Sequence, residues 1–530
     1  MSQSLLSFDT DRIKEYVFAT GKLAEIRGSS ALLDRLNREE MPRLVDPSGN
    51  NTIYANGGSG LFIVPTEQAQ TLIQAVQKQY QSVTKAATIT GVRLELPPGF
   101  DKESDLPPYW QKLGFKLRMA KDCNPVQADI ISHPFLLPCQ SCGIYYATDP
   151  YVESGEQTTL LCQSCYLKHR EDHQIKDEIP EVATGEIKPN QNRLWHRLID
   201  DLKKQDNFFD RWFRKMGDSE IRPKDLDILG EQSSPSGYLG FIYADGDDMG
   251  RHLEQIPSLN KMEQFSKGVD QAIYGAVKRA ILTHLKPAHE AQSLPFDILL
   301  LGGDDLIMVT TAQTAIETAL TVLKQFPDLT KQNCGQSLSL SVAVVLAHVK
   351  FPISLLQELA QSTLKFAKSE RAKRGLNEGI LNFLIVSSAN HLDFKAHYKA
   401  TLTKEDLSRG EITYRTMRPY AASDMDKLIK TRHALAGASR SKLAQLRTAI
   451  FKSRCHAQLD GLVAWTRWRN QTHRDKIWEL LQDFNQQRKP LLFPWVQKEQ
   501  DSQNTYVTPL LDLIELFDFI SEGGNGNDSN

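Results

Sequence analysis

This 530-residue chain has no long apolar run, little net charge and few cysteines. No apolar run reaches the length of about 20 residues that a membrane-spanning helix needs, so no membrane partner is predicted. No secretory signal is recognisable, and a cytoplasmic protein is expected. The net charge of −2 provides no global basic field that would indicate a nucleic-acid partner. The hydrophobic fraction of 40% suffices for sizeable cores, and the length suggests three or four domains.

Four of the seven cysteines form two pairs with nineteen residues between them, Cys139-x2-Cys142 and Cys162-x2-Cys165. Two such pairs predict a tetrahedral zinc site of structural type, because four thiolates leave no open position for water. A redox pair would not need the second pair of cysteines, and the missing secretory signal disfavours disulfides. His169 and His173 follow closely and could substitute as ligands, although surface histidines are the simpler interpretation.

Two acidic clusters follow strand-like segments, Tyr243-Ala244-Asp245-Gly246-Asp247-Asp248 and Leu301-Gly302-Gly303-Asp304-Asp305. The apolar residues on both sides of the second cluster predict a hairpin over 296–309 with acids at its tip. Asp245, Asp304 and Asp305 could hold Mg²⁺ or Mn²⁺, since hard cations prefer carboxylate oxygens and a two-metal site suits nucleotidyl transfer. Gly302 and Gly303 leave room for a phosphate or sugar near the backbone. A plain Asp-Gly turn is the alternative for either cluster alone.

A helix is predicted over 355–374, with one apolar face and its cations on the remainder. The cations are Lys365, Lys368, Arg371, Lys373 and Arg374. A solvated basic face is the plain interpretation.

These motifs resemble the palm domain of the large polymerase-cyclase subunit of type III CRISPR effector complexes, which is similar to GGDEF cyclases. The resemblance rests on Gly302-Gly303-Asp304-Asp305, the segment 243–247, the strand 338–352 and the helix that follows. It implies ATP as substrate. It also implies that Ala367-Lys368 corresponds to the Ala-Lys pair that contacts the triphosphate in GGDEF-type cyclases, so Lys368 is expected to bind phosphate.

The N-terminal region repeats this pattern without the acids, which predicts an internal duplication. Residues 5–11 parallel 241–247, and 53–64 parallel 299–309, with Ser59 and Gly60 in the places of Asp304 and Asp305. In the family that the chain resembles, each palm holds one nucleotide, so the resemblance implies that the first palm binds a nucleotide through Gly57, Gly58 and Ser59 without supplying a full set of metal ligands.

The predicted fold class is α/β (α+β), with two ferredoxin-like palm domains, a zinc ribbon between them and a C-terminal helical domain. The boundaries are expected at 1–125 for the first palm, 126–175 for the four-cysteine zinc module and 176–235 for a linker and helical segment. The second palm follows at 236–392, the helical domain at 393–520 and a disordered tail at 521–530. The resemblance implies that the helical domain meets partner subunits of the effector complex.

Eight cations crowd the first part of the helical domain, which allows a contact surface for RNA or protein, and the resemblance implies guide RNA as that RNA. They are Lys427, Lys430, Arg432, Arg440, Lys442, Arg447, Lys452 and Arg454. A solvated helical face is the alternative.

The resemblance begins directly at the first palm, so a shortened form without the N-terminal histidine-aspartate nuclease domain is expected. The leading hypothesis is a nucleotidyltransferase that converts ATP to a cyclic oligoadenylate second messenger in CRISPR-linked antiviral defence. A nucleic-acid polymerase with the same metals and a catalytically silent scaffold for RNA and partner subunits are the alternatives.

Overall fold

The computed structural model describes residues 2–123, 135–151, 158–175, 194–216, 221–289, 292–387, 393–485, 492–500 and 503–521. Residues 176–193 of the predicted linker and residues 522–530 of the disordered tail predicted at 521–530 lie outside the described residues. Among the helices within these ranges, none is long and apolar enough to cross a lipid bilayer.

The N-terminal palm is a four-stranded antiparallel sheet in the order β2-β3-β1-β4. Consecutive apolar residues in β1 suit a strand covered on both faces, and Leu5 and Leu6 enter two different hydrophobic cores. In chain order the elements are β1 (Gln3–Thr10), α1 (Ile13–Val17), α2 (Leu23–Arg35), α3 (Met41–Val45), β2 (Thr52–Asn56), β3 (Ser59–Pro65), α4 (Ala69–Thr84), β4 (Ile89–Glu95) and α5 (Pro107–Cys123).

The zinc module is a small antiparallel pair of strands followed by a helix that lies against the first palm. Its elements are β5 (Asp149–Tyr151), β6 (Thr159–Leu161) and α6 (Gln163–Ile175). Helix α6 approaches α2 closely at Gly28, where a Cβ atom would lie 1.7 Å from the carbonyl oxygen of Lys168. Glycine is therefore required at position 28 for the two helices to pack.

The second palm is a six-stranded sheet in the order β14-β11-β10-β7-β9-β8. Its elements, with the helices that precede it, are α7 (Leu194–Gln205), α8 (Asn207–Met216), α9 (Leu226–Glu231), β7 (Tyr238–Gly246), α10 (Met249–Glu254), α11 (Leu259–His284), β8 (Phe296–Gly302), β9 (Asp305–Thr311), α12 (Ala315–Cys334), β10 (Leu340–His348), α13 (Ile353–Arg374) and β11 (Ile380–Ile385). The predicted acidic hairpin and the helix predicted over 355–374 are both confirmed.

The two palms share one topology. The order β10-β7-β9-β8 in the second sheet repeats β4-β1-β3-β2 in the first, and both follow the ferredoxin-like βαββαβ arrangement. Both cores contain residues of both palms, such as Leu5 with Ile242 in one core and Phe8 with Tyr243 in the other. The predicted fold class is confirmed, because both palms and the four-cysteine cluster are present.

The C-terminal region is mainly helical, as predicted, but it also contains a sheet that the sequence analysis did not identify. Four short strands pair in the order β12-β13-β16-β15. The elements are α14 (Phe394–His397), β12 (Thr403–Asp406), β13 (Glu411–Tyr414), β14 (Tyr420–Ala421), α15 (Ala422–Ala434), α16 (Arg440–Ile450), α17 (Arg454–Thr466), α18 (Gln471–Phe484), β15 (Val496–Gln500), β16 (Gln503–Val507) and α19 (Leu510–Leu516).

A buried cluster of four charged residues joins the first palm, the zinc module and the second palm. Arg27 of α2 pairs with Asp172 of α6 at 2.8 Å and with Asp297 of β8 at 3.0 Å. Arg222 pairs with Asp297 at 2.8 Å. Two cations and two anions therefore balance where water is excluded, as buried charges require.

Candidate active site

The acidic turn connects β8 and β9 at the edge of the second palm. Gly302 pairs with Asp305, so Gly303 and Asp304 form a two-residue turn. Gly303 has a φ of +63°, a left-handed conformation that glycine adopts without steric cost. The turn thus places two consecutive carboxylates at the end of the hairpin.

Asp245 lies beside this turn because its strand, β7, is the neighbour of β9. Ala244 is opposite Leu306, which puts Asp245 next to Asp305 one residue further along. The carboxylate of Asp304 lies against Gly246, where a Cβ atom would be 2.6 Å from its Oδ2. The three predicted acids therefore reach the same end of the sheet.

The three aspartates are less tightly grouped than the zinc-type cysteines. Within the described residues, the cysteine cluster is the one group of three or more candidate ligands whose donor atoms all lie within 4.8 Å of one another. Asp245 lies close enough to Asp305 for its charge to raise the pKa of Asp305. Because Mg²⁺ in nucleotide sites usually takes one or two carboxylates together with phosphates, this donor set fits the ion, and the metal assignment remains a prediction.

The pKa values of both turn acids are raised. Burial is the main cause for Asp304, with a further contribution from the charge of Asp245, and its pKa rises to about 6. The same two causes raise the pKa of Asp305 to about 8, against an opposing effect of Lys14. A divalent cation would relieve this crowding of negative charge.

Two lysines lie beside the acids, one from each palm. Lys368 of α13 donates to Asp245 Oδ2 at 2.5 Å and to the carbonyl oxygen of Gly246 at 2.6 Å. Lys14, from the first palm, lies 3.8 Å from Asp305 Oδ2. Lys368 was predicted from the sequence, whereas Lys14 was not, because its contact with the site joins residues far apart in the chain.

Asp247 and Asp248 have a structural environment that differs from that of Asp245. Asp247 is buried and accepts a hydrogen bond from Ser341 at 2.7 Å. Arg371 pairs with Asp247 at 3.3 Å and with Asp248 at 2.8 Å. Arg371 was grouped with the exposed cations of its helix, but it is buried and anchors this loop.

The first palm retains more of this arrangement than the sequence indicated. Lys121 of α5 pairs with Asp9 Oδ2 at 2.5 Å, as Lys368 pairs with Asp245. Asp11 accepts a hydrogen bond from Thr90 at 2.9 Å, as Asp247 does from Ser341. The sequence analysis missed Lys121, although Ala120-Lys121 repeats Ala367-Lys368.

The correspondence predicted for Ser59 and Gly60 was wrong by one residue. Asp9 lies opposite Ser59 in the first palm, whereas continuation of the β7–β9 register places Asp245 opposite Asp305. Ser59 therefore corresponds to Asp305, and Gly58 corresponds to Asp304. The error arose because the glycine runs align equally well in either register.

The two hairpin tips meet. A Cβ atom on Gly57 would lie 3.2 Å from the backbone nitrogen of Gly303. Behind the contact, Arg38 of the first palm forms a bidentate pair with Asp270 at 2.7 and 3.1 Å. Asp270 also accepts a hydrogen bond from the Gly303 nitrogen at 3.3 Å. The first palm thus supports the acidic turn directly.

The predicted zinc ligands come together. The Sγ atoms of Cys139, Cys142, Cys162 and Cys165 all lie within 4.8 Å of one another, and those of Cys142 and Cys162 are 3.9 Å apart. Tetrahedral zinc with Zn–S bonds of about 2.3 Å separates its sulfurs by about 3.8 Å, so the cluster fits the ion. His169 is outside the cluster, and it is buried rather than on the surface. The side chain of His173 lies outside the described residues.

The basic region at 427–454 is less available than its sequence suggested. Arg432 is buried and donates to the carbonyl oxygen of Phe517. Arg454 forms a bidentate pair with Glu411 at 2.8 Å. Other cations of the set also have acidic neighbours: Lys427 pairs with Asp424, Arg440 with Asp518 and Lys452 with Asp460. These pairs favour the interpretation as a solvated and partly structural face.

Comparison with known proteins connects this geometry to a family. Residues 238–377 match the family model described as Cas10/Cmr2, second palm domain. No curated protein is matched at a significant level.

Several solved structures share the fold at low sequence identity. Csm1 in T. onnurineus has a TM-score of 0.52 and 14% identity, with 87% of this chain and 63% of that chain covered. The Csm1-Csm4 cassette in complex with pppApA gives 0.52 and 15%, with 87% and 64% covered. The cassette in complex with cA3 gives 0.51 and 14%, with 98% and 70% covered. The chain spans less than two thirds of the length of the first two relatives.

The matched segment contains Asp245, the acidic turn and Lys368. Residues 238–377 are therefore similar to the second palm domain of the Cas10/Cmr2 family, and the chain shares its fold with Csm1.

Proposed function

We propose that this protein is a nucleotidyltransferase that joins ATP molecules into a cyclic oligoadenylate, in CRISPR-linked antiviral defence. The observation that carries the proposal is the meeting of two like palms at their hairpin tips. Each palm has an aspartate paired with a lysine, Asp9 with Lys121 and Asp245 with Lys368. The second palm adds Asp304 and Asp305. Two nucleotides could thus be held face to face, with one set of metal ligands between them.

In the proposed reaction, the 3′-hydroxyl of one ATP attacks the α-phosphorus of the other. A new O–P bond forms, the bond between the α-phosphorus and the bridging oxygen to the β-phosphate breaks, and pyrophosphate leaves while the hydroxyl proton passes to solvent. Mg²⁺ or Mn²⁺ held by Asp245, Asp304 and Asp305 would stabilise the attacking and leaving oxygens. Lys368 would bind the triphosphate. Gly302, Gly303 and the first-palm residues Gly57, Gly58 and Ser59 would let the nucleotides approach the backbone.

The structural relatives support an adenylate product. Csm1-Csm4 cassettes were solved in complex with pppApA and with cA3, and we propose products of this class for the present chain. By the same comparison, a Csm4-like subunit is the proposed partner, and guide RNA would enter through the assembled complex rather than through a broad basic surface of this chain.

The test is incubation of the purified protein with Mg²⁺ or Mn²⁺ and each nucleoside triphosphate, with and without RNA, followed by mass spectrometry. Cyclic adenylates support the proposal. Products whose length follows an added template would identify a polymerase, and the absence of any product in the assembled complex would identify a scaffold.

The same assay gives a prediction for the acidic turn. Asp304→Ala combined with Asp305→Ala should abolish product formation, because the proposed metal-assisted transfer requires these carboxylates. The circular dichroism spectrum should remain that of the native protein. Unchanged turnover in this folded double variant would exclude the assignment of these residues.

A further inference from the structure

We propose that Lys14 of the first palm binds the triphosphate of the nucleotide held by the second palm, and that Lys168 of the zinc module keeps Lys14 in position. The inference rests on the proposed function and adds two residues to its site. Lys14 would touch the substrate, whereas Lys168 would act through Lys14 as a positioning residue.

The side chain of Lys14 extends from the first palm to residues of the second palm. Its ammonium group lies 4.6 Å from the centre of the Tyr243 ring, donates to the Tyr243 hydroxyl and stands 3.8 Å from Asp305 Oδ2. Tyr243 is buried, whereas the Lys14 side chain keeps 30% of its surface exposed. The cation is therefore partly exposed beside Asp305, where a nucleotide could reach it.

Comparison of the two palms shows that Lys14 has no equivalent cation in the second palm. Arg12 and Asp248 occupy matching positions after β1 and β7, and both have the left-handed backbone conformation, with φ of 47° and 55°. Two residues later the first palm has Lys14 and the second has Gly250. Since glycine has no side chain, the second palm places no matching cation in the first palm. The extra positive charge therefore lies only beside the acids of the second palm.

The ammonium group of Lys14, which lies near the Asp305 carboxylate in this structure, could pair with a phosphate instead. A metal ion on Asp305 would neutralise the charge that Lys14 faces in this structure. The flexible lysine stem could then turn the ammonium group toward phosphate oxygens, which carry several negative charges in ATP. Lys368 contacts Asp245 and Lys14 lies near Asp305, so the two lysines together would bind the triphosphate beside the acids.

The zinc module holds the short helix that carries Lys14. Helix α1 has five residues, too few to be stable without tertiary contacts. The buried Lys168 donates to the carbonyl oxygen of Tyr16 at 2.6 Å and lies 3.9 Å from the centre of its ring. Lys168 follows the zinc-type ligand Cys165 by three residues. The helix that carries Cys165 thus contacts Tyr16, which lies two residues after Lys14 in α1.

The first experiment measures the affinity of the full-length protein for α,β-methylene-ATP in the presence of Mg²⁺ by calorimetry. Lys14→Met should weaken binding about tenfold or more, the effect of losing a charge-assisted hydrogen bond. Lys14→Arg should restore part of the affinity. Lys78→Met, at an exposed position of the same palm, should change nothing. Equal affinity of wild type and Lys14→Met overturns the inference alone, whereas a wild-type protein that does not bind the analogue overturns the proposed function as well.

Double variants assign the contact to one palm. Lys14→Met and Lys368→Met should have non-additive effects if both lysines bind one triphosphate, while Lys14→Met and Lys121→Met should be additive. The opposite pattern would place the contact of Lys14 in the first palm and overturn the inference.

The second experiment tests Lys168. Lys168→Met should weaken analogue binding in the wild-type background and have no further effect in the Lys14→Met background. Tyr16→Leu, which removes the ring beneath the ammonium group, gives a second variant with the same expected pattern. A purely structural role would lower the melting temperature and weaken binding equally in both backgrounds, and that result would overturn the positioning role.

Discussion

Asp304 and Asp305 hold protons in a pH range where an aspartate in water has lost them. The usual aspartate pKa of 3.8 rises to about 6 for Asp304 and about 8 for Asp305, because burial disfavours the charged form and Asp245 adds a like charge. Near neutral pH, binding of a divalent cation would therefore release protons. The acidic turn couples metal occupancy to pH.

This coupling predicts how the stability of the metal-free protein depends on pH. Between about pH 4 and 8 the folded chain binds more protons at this turn than the unfolded chain does, so its free energy of unfolding should fall as pH rises. Asp304→Asn combined with Asp305→Asn should flatten that fall. Urea unfolding of both proteins in EDTA at several pH values measures the difference. Parallel pH profiles would contradict the raised pKa values.

Asp247 provides a contrasting prediction about stability. Because its buried carboxylate accepts a hydrogen bond from Ser341 and pairs with Arg371, Asp247→Ala would leave a buried arginine without one of its partners. The expected loss is about 3 kcal/mol in the free energy of unfolding. Asp248→Ala, at an exposed position, is the matched control and should cost less. Denaturant unfolding distinguishes the two variants, and equal losses would contradict the structural role of Asp247.

The sequence identified the acids that lie in local motifs and missed the residues that act across distance. Asp245, Asp304 and Asp305 follow apolar strands, a pattern visible within a few positions. Lys14 meets Tyr243 across 229 positions of the chain, and no local pattern encodes that contact. Lys121 could have been predicted from the sequence, because its Ala-Lys pair repeats the one on α13. However, only the shared topology of the two palms shows that α5 corresponds to α13.

At the scale of elements, the contact between the two hairpin tips gives a test of the palm interface. Gly57→Ala introduces a methyl group 3.2 Å from the Gly303 nitrogen and strains a backbone with φ of +58°. Turnover should fall several-fold because the acidic turn shifts. Gly49→Ala is the matched control, since Gly49 also has a positive φ of +74° but no atom within 4 Å of its Cβ position.

Both glycine variants should lose about 1 kcal/mol of stability from the left-handed backbone. Only Gly57→Ala should also lose activity in the nucleotide assay. If the two variants retain the same turnover, contact between the tips does not support the site.

The zinc module allows a test by metal analysis. Elemental analysis should find one Zn²⁺ per chain, and Cys139→Ser should remove it and lower the melting temperature by roughly 5 °C or more. Cys123→Ser, at an exposed cysteine outside the cluster, should leave both unchanged. Zinc-free protein that melts normally would refute a structural metal.

Element prediction succeeded where the pattern was long and failed where strands were short. The helix at 353–374 and the acidic hairpin have clear periodicity. The C-terminal sheet was missed because its strands have four or five residues and β13 pairs in parallel with β16 about ninety positions later. Such pairings depend on tertiary packing rather than on local propensity.

At the scale of the whole molecule, duplication explains why one palm could be inferred from the other. The left-handed residues, the hydrogen-bonded second aspartates and the lysine pairs recur in both halves. The register was nevertheless shifted by one residue in the prediction. Glycine-rich turns contain few side chains that could fix an alignment, whereas paired strands fix it directly.

The buried charge cluster has a consequence for dividing this chain into fragments. A cut between residues 175 and 221 would leave Arg27 with Asp172 in one fragment and Arg222 with Asp297 in the other. Each fragment would retain a neutral pair of this cluster instead of a lone buried charge. Reassembly of co-expressed halves would therefore not require either half to bury a lone charge of this cluster.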